Sequence, residues 1–547
     1  MAVPCMTRRR FLTISAMSAA SLAVDWRGIA VHAARMGPKE DYPTVVIGAG
    51  LGGLCCAAFL ARQGIPVTIL EKHEIPGGYA TAFDRGGGKY RFEVSLHGTS
   101  IRGNHVERTL SELGVLEKLR LVELPETYRV KAPGMDVSFP QRDPEAFIRS
   151  LGELFPREAD GIRGFVEEVL NIFEETEKYG RQSGFFKTVL KPIFPLQFRR
   201  MWNVRNQTLS DLLDDHVQDP QARDMLSAMW GYYGLPPSRL SGFYYAVATG
   251  GYLKNGSYYI QDRSQALSDL LAETVEQGGG KVLYETEAKR IQLRDGAVAG
   301  VETADGRVLP ARAVVSNASA LTTLQDMVPS DAVPAETMKR LSSLRPSISC
   351  FIVWLGLNRE IRGTIPGFST SVATGRGPED DYASCLQGDV DRCGFSVTLF
   401  DNLYEGYSRP GTSSIMLLCL SGYGPWQRFE ADYRAGRKQA YEEEKQRWTE
   451  TLIRRAEESV IPGLRSMIEV REAASPLTCL RYTGNTEGAI YGFEQSMDNA
   501  FMNRMGNRTP VKGLYLASAW GNPGGGYGGV LRAGEMTFQH LMEDWGG

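Results

Sequence analysis

Residues 44–72 read TVVIGAGLGGLCCAAFLARQGIPVTILEK, and no other stretch restricts the fold of this chain as tightly. The β-branched run from Val45 to Ile47 stops at glycine, and an apolar helical pattern then continues to Gly64. PVTIL follows as a second strand, ending on Glu71. Strand, glycine turn, helix and strand, with an acidic residue about 20 positions on, form the phosphate-binding unit of a doubly wound sheet. Gly48 makes the tight turn, Gly50 lets backbone amides approach a pyrophosphate, and Gly53 lets the helix pack closely. Leu51 and Gly52 open the helix, whose N-terminus favours phosphate charge. Glu71 is placed to accept hydrogen bonds from a ribose, with Lys72 beside it. The expected class is α/β, with a Rossmann-type dinucleotide domain.

The chain of 547 residues is too long for one small domain. Its formal net charge of −3 supplies no basic field for nucleic acid. The 60 glycines cluster in three places, as expected where backbone approaches a ligand. Eight cysteines form no CxxC pair, and six histidines form no metal-ligand spacing. Cys385 and Cys393 flank a polar turn; pairing in an oxidising compartment and two free thiols are both open, free thiols being the simpler reading.

After Glu71 comes HEIPGGYATAF, in which Gly77 and Gly78 extend the nucleotide site beyond a simple nicotinamide fold. IPGG followed by YRFEVSLHG resembles a segment of the carotenoid desaturase, carotenoid cis–trans isomerase and retinol saturase group of flavoproteins. ETEAKRI and ARAVVSNAS are similar to that group's adenine-facing and returning strands. GLYLASAWGNPGGGYGGVLRAGEM resembles its closing signature. The resemblance implies FAD as cofactor, held by Gly77, Gly78, Ala80, Thr81, Ala288 and Ala519 besides the fingerprint residues, with Gly529 and Val530 approaching the flavin ring. Several positions depart from the pattern: Ser95 and Ser518 stand where the group has glycine, Gly521-Asn522 replaces a Thr-His pair, and Asp262 and Arg263 stand where many relatives have glycines. His97 follows the flavin-side segment and is the candidate catalytic residue; a hydrogen-bonded structural histidine is the competing account.

The cofactor segments divide the chain. An FAD-binding domain, discontinuous in sequence, is expected from 42–100, 255–330 and 470–547. An inserted α+β substrate domain is expected from 101–254 and 331–469.

At the N-terminus, Arg8 to Arg10 precede an apolar run and a small-residue region ending AVHAA, the layout of a signal peptide cleaved after Ala33. TRRRFL resembles the twin-arginine signal, whose route carries already folded proteins, so a flavin inserted in the cytoplasm can travel with its protein. Periplasmic location is expected, with no obvious NADPH pool. No later stretch reaches the roughly 18 apolar residues of a membrane span. GFFKTVLKPIFPLQFRRMW, at 184–202, interleaves aromatic and basic residues. It fits a helix lying on a membrane surface and equally a core helix with a basic outer side. WGYYGLPPSRLSGFYYAVATGGYLKNGSYYI gathers aromatics suited to an apolar tunnel.

The expected activity is FAD-dependent oxidation of an apolar isoprenoid or polyene. Desaturation leads, with electrons passing to quinone or oxygen, and cis–trans isomerisation or saturation follows. A flavin amine oxidase is the rival enzyme on the same framework, and a lipid carrier without catalysis is the reading from another class.

Overall fold

The computed structural model describes residues 42–182 and 191–545. In chain order the elements used below are β1 (Thr44–Ile47), α1 (Leu51–Arg62), β2 (Val67–Leu70), α2 (His105–Glu112), β3 (Tyr128–Ala132) and β4 (Met135–Phe139). Then come β5 (Lys281–Leu283), β6 (Ala313–Ser316), β7 (Ser349–Leu357), β8 (Ser369–Val372) and β9 (Phe395–Leu399). The last are β10 (Ser413–Ser421), β11 (Ile468–Ala474), β12 (Leu514–Leu516) and α3 (Tyr527–Trp545).

The dinucleotide fold forms as its sequence pattern requires. Five parallel strands lie in the order β12-β6-β1-β2-β5, drawn from distant parts of the chain. β1 is buried at every position: Val46 packs with the helical core of α1 and α3, and Val45 and Ile47 pack on the other face with Ile291, Val298 and Val301 from a small antiparallel sheet at 288–310. α1 is buried along all but its last residue and packs on α3, with Phe59 stacked on Phe538 at 5.2 Å. No side chain caps its start at Gly50, so its first amide groups remain available to an anion.

The second sheet has seven strands in the order β11-β7-β10-β9-β8-β3-β4, antiparallel except where β8 meets β3. β7 reads SCFIVWLGL and is buried at all nine positions. A strand's side chains alternate between faces, so Phe351, Val353 and Leu355 join one core while Ile352 and Trp354 join the cofactor-side core. Phe351 meets Trp426 and Trp448 with ring centroids 5.6 and 5.1 Å away. The sheet is thus a wall between the two cores, and Trp354 ties it to the cofactor side by donating to the Glu93 carbonyl at 2.6 Å.

Two expected domain boundaries shift. α2 lies in 101–254 by sequence, yet Val106 and Leu110 pack in the cofactor-side core and Thr109 donates to Glu535 on α3 at 2.7 Å. β11 crosses the expected boundary at 469/470 because its backbone pairs with β7. The expected signal segment 1–33 lies outside the described residues, as does 183–190 within the expected membrane element. Of the rest of that element, Phe198 is core, 1% exposed and packed against Tyr179 and Phe194. Phe198 thus follows the core-packing reading of the segment, which the two prolines divide into short turns. Ile193 and Leu196 stay outside, 46% and 85% exposed. Among the described residues no helix is long and apolar enough to cross a membrane.

Candidate functional site

A cavity of about 550 Å³ begins along the glycine turn and continues across the seven-stranded sheet. At its first end Gly48 holds φ +92° and Gly77 φ +126°, backbone states that favour glycine. A Cβ on Gly50 would sit 2.3 Å from Asn317 Oδ1, one on Gly52 2.2 Å from the Ala517 carbonyl, and one on Gly53 2.4 Å from the Gly48 carbonyl. The three glycines therefore let the turn, β6 and β12 converge on one another. Gly48, Gly50, Leu51 and Gly52 line the groove, whereas Gly53 lies behind it and serves the packing of helix on strand.

Glu71 directly follows β2, with its carboxylate buried in the groove wall. One oxygen accepts the Ala49 amide at 2.8 Å and the other the His73 amide at 3.0 Å. Each oxygen keeps a lone pair for a ribose hydroxyl. Lys72 also lines the groove and donates to the Arg481 carbonyl at 2.9 Å, and burial lowers its pKa. Gly77, Gly78, Ala80, Ala288, Ala519 and Val530 line the same cavity. Thr81 and Gly529 do not. Thr81 turns its hydroxyl back to the Gly78 carbonyl at 3.1 Å, and Gly529 lies tight against the Gly524 carbonyl, so both are corrected to supporting positions.

Asn317, directly after β6, was missing from the sequence-derived site. Its Oδ1 accepts the Gly50 amide at 3.1 Å and its Nδ2 donates to the Ala517 carbonyl at 2.6 Å, joining three strand ends. The available signal was an amide residue closing the β-branched run AVVSN. Ser95 has a use that glycine could not supply. Its hydroxyl donates to the Tyr79 carbonyl at 2.8 Å and pairs with the Tyr527 hydroxyl at 3.1 Å, beside the start of α3.

Glu93 aims the next segment into the cavity. It accepts the Ser95 and Leu96 amides at 3.1 Å each, the Ser264 amide at 2.8 Å and the Ser264 hydroxyl at 2.6 Å. Burial raises its pKa against these hydrogen bonds. Four residues on, His97 lines the cavity, its Nδ1 3.1 Å from Thr398 Oγ1 on β9. Tyr232 stands edge-on to the imidazole at 6.1 Å. Burial lowers the His97 pKa to about 4, so the ring is neutral across the physiological range. Nε2 has no hydrogen-bond partner among the described residues. His97 thus meets both sequence readings, hydrogen-bonded through one nitrogen and facing the cavity.

Beyond His97 the cavity is lined by one row of paired residues from five neighbouring strands, Ile352 on β7, Leu418 on β10, Ser396 on β9, Ser371 on β8 and Val130 on β3. Four strand spacings make this reach about 19 Å. Trp230, Tyr232 and Tyr252, from the aromatic stretch singled out in the sequence, form part of the facing wall. Cys385 and Cys393 are buried free thiols.

The groove residues fit an adenine dinucleotide bearing a flavin: a glycine cradle that any Cβ would fill, uncapped helix amides, and a carboxylate with free lone pairs at ribose distance along the fold. Known proteins agree. Prolycopene isomerase 2, chloroplastic, of an Oncidium hybrid cultivar is 24% identical over 99% of this chain and 90% of its own length. All-trans-retinol 13,14-reductase of Macaca fascicularis is 24% identical over 89% of this chain and 83% of its own. Wild-type putrescine oxidase bound to putrescine shares the fold, with a TM-score of 0.59 at 14% identity over 92% of this chain and 99% of that one. The cofactor is FAD. The model of the flavin containing amine oxidoreductase family matches residues 51–540, and the chain belongs to that family.

Proposed function

We propose that this FAD-dependent oxidoreductase acts on an elongated apolar polyene or isoprenoid. The observation that carries the reading is the cavity continuing from the cofactor groove across five strands, about 19 Å of mainly apolar wall. FAD, when bound, supplies hydride acceptance or donation at carbon. The glycine turn, Asn317 and Glu71 hold the cofactor, and Trp230, Tyr232 and the sheet side chains orient a chain and exclude water. The neutral His97 faces the chain and carries no charge that an apolar ligand would have to desolvate.

Desaturation, with electrons discharged to a quinone or oxygen, is the leading reaction. Geometric isomerisation is the second reading, favoured by the likeness to a prolycopene isomerase. Stopped-flow mixing with a polyene tests the two. Bleaching of oxidised flavin, restored by a quinone analogue, supports desaturation; isomer exchange without net acceptor consumption supports isomerisation. Flavin reduction by a primary amine, with no response to any polyene, would overturn both.

The TRRRFL signal supports export by the twin-arginine route, with the mature protein acting at a membrane face. Ile193 and Leu196 are exposed, and Phe194 meets Phe501, which precedes the 63% exposed Met502. These apolar groups suit insertion among lipid headgroups. An Ile193→Ser/Leu196→Ser variant that floats with anionic vesicles as well as the parent would refute the membrane contact.

A further inference from the structure

One strip of the cavity wall is not apolar. β8 and β9 pair so that Ser369 stands directly opposite Thr398, and Ser371 opposite Ser396. Directly paired residues two apart along antiparallel strands share a face, so the four hydroxyls form two rungs of one ladder. Ser369, Ser371 and Ser396 line the cavity, and Thr398 is fully buried behind them.

The two rungs differ in what they leave unsatisfied. In the first, Ser369 Oγ lies 3.0 Å from Thr398 Oγ1, which also meets His97 Nδ1 at 3.1 Å. That rung is internally satisfied and serves to hold the imidazole. In the second, Ser396 Oγ reaches the Leu418 carbonyl only at 3.5 Å, a long hydrogen bond, and Ser371 Oγ has no partner among the described residues. A donor or acceptor left dry beside a bound hydrocarbon weakens binding. A wall meant only for hydrocarbon has no use for this rung, because alanine there would cost nothing.

We propose that the cavity selects a polyene or isoprenoid carrying an oxygen function, an alcohol or carbonyl, which hydrogen-bonds the Ser371–Ser396 rung one step along the ladder from His97. This rests on the apolar-substrate reading and narrows it: the body of the ligand is hydrocarbon, and one oxygen gives it its register in the cavity. The register matters because an apolar chain alone can slide, whereas a fixed oxygen sets which carbon lies at the flavin.

The test uses the FAD-loaded protein and three ligands with one skeleton: all-trans-retinol, the hydrocarbon with CH3 in place of CH2OH, and the primary amine. Binding is read by energy transfer from tryptophan to the polyene, since Trp230 lines the cavity, and by perturbation of the flavin absorption band. The alcohol is expected to bind at least tenfold more tightly than the hydrocarbon. In a Ser371→Ala/Ser396→Ala variant the alcohol should fall to the level of the hydrocarbon, whose own affinity should change less than about twofold. Equal binding of alcohol and hydrocarbon to the parent overturns the proposal and leaves the apolar-substrate reading intact. Binding of the amine alone, or of none of the three, overturns both. The comparison of ligands on the parent protein does not depend on the variant's folding. Loss of hydrocarbon and alcohol affinity together in a variant that retains its flavin spectrum also counts against the rung.

Discussion

His97 gives the sharpest quantitative prediction, because its environment sets both a protonation state and a stability cost. The half-buried imidazole lies beside Tyr232 and Phe400, with Thr398 as its one hydrogen-bond partner among the described residues, and desolvation lowers its pKa to about 4. An unfolded histidine titrates near 6.5, so between those values the unfolded chain binds the extra proton and the folded chain does not. Stability from this group is therefore complete above about pH 6.5 and is lost as pH falls towards 4. The linkage relation gives a loss of about 2 kcal/mol at pH 5 and about 3 kcal/mol at pH 4. His97→Gln removes the titration while keeping a side chain able to meet Thr398. Urea unfolding of both proteins at pH 7 and pH 5 isolates the effect: the parent should lose about 2 kcal/mol more than the variant over that interval. Nitrogen-15 histidine spectra give a direct second reading, in which the signal absent from the variant should show no titration above pH 5. A His97 signal that titrates near 6.5, or equal losses in the two proteins, would refute the burial argument and with it the neutral imidazole facing the chain.

The cofactor end yields further expectations. Glu71→Ala should weaken FAD binding by about 1.5–3 kcal/mol, from loss of a charged acceptor, and should strand the buried Ala49 amide; unchanged affinity in a flavin-fluorescence titration would falsify the ribose role. Gly52→Ala forces a methyl against the Ala517 carbonyl, a backbone atom that cannot swing aside, at a cost of about 1–3 kcal/mol. It should lower the melting temperature and flavin occupancy together, and a fully yellow, equally stable variant would contradict the close approach of α1 to β12. For export, replacing Arg8 and Arg9 with Lys should leave the precursor in the cytoplasm; normal secretion of that form, followed by fractionation and immunoblotting, would refute the twin-arginine route.

The dinucleotide unit was legible in the chain because its determinants are local. A β-branched run, a glycine turn and an acidic residue at a set distance specify β1, α1, β2 and the place of Glu71 through short-range sterics and hydrogen bonding alone. The same locality located the aromatic stretch that supplies Trp230, Tyr232 and Tyr252. Thr81 and Gly529 were misplaced because a motif gives the path of the backbone and not which side of it faces the ligand. Phe198 was left open for a related reason: an interleaved aromatic and basic pattern describes a core helix and a surface helix equally well, and Tyr179 and Phe194, packed against it, place it in the core.

What the sequence determined by itself is therefore the fold class, the family-like cofactor pocket and the glycines that allow it. Tertiary structure decided the rest. Asn317 joins the ends of β1, β6 and β12, strands separated by hundreds of residues, and no window of sequence contains that junction. The hydroxyl ladder exists only because the register of β8 on β9 sets Ser369 against Thr398 and Ser371 against Ser396; a slip of one residue would turn these side chains to the opposite face. Register and strand order depend on long-range backbone pairing, and that pairing is decided when the whole sheet closes against its two cores.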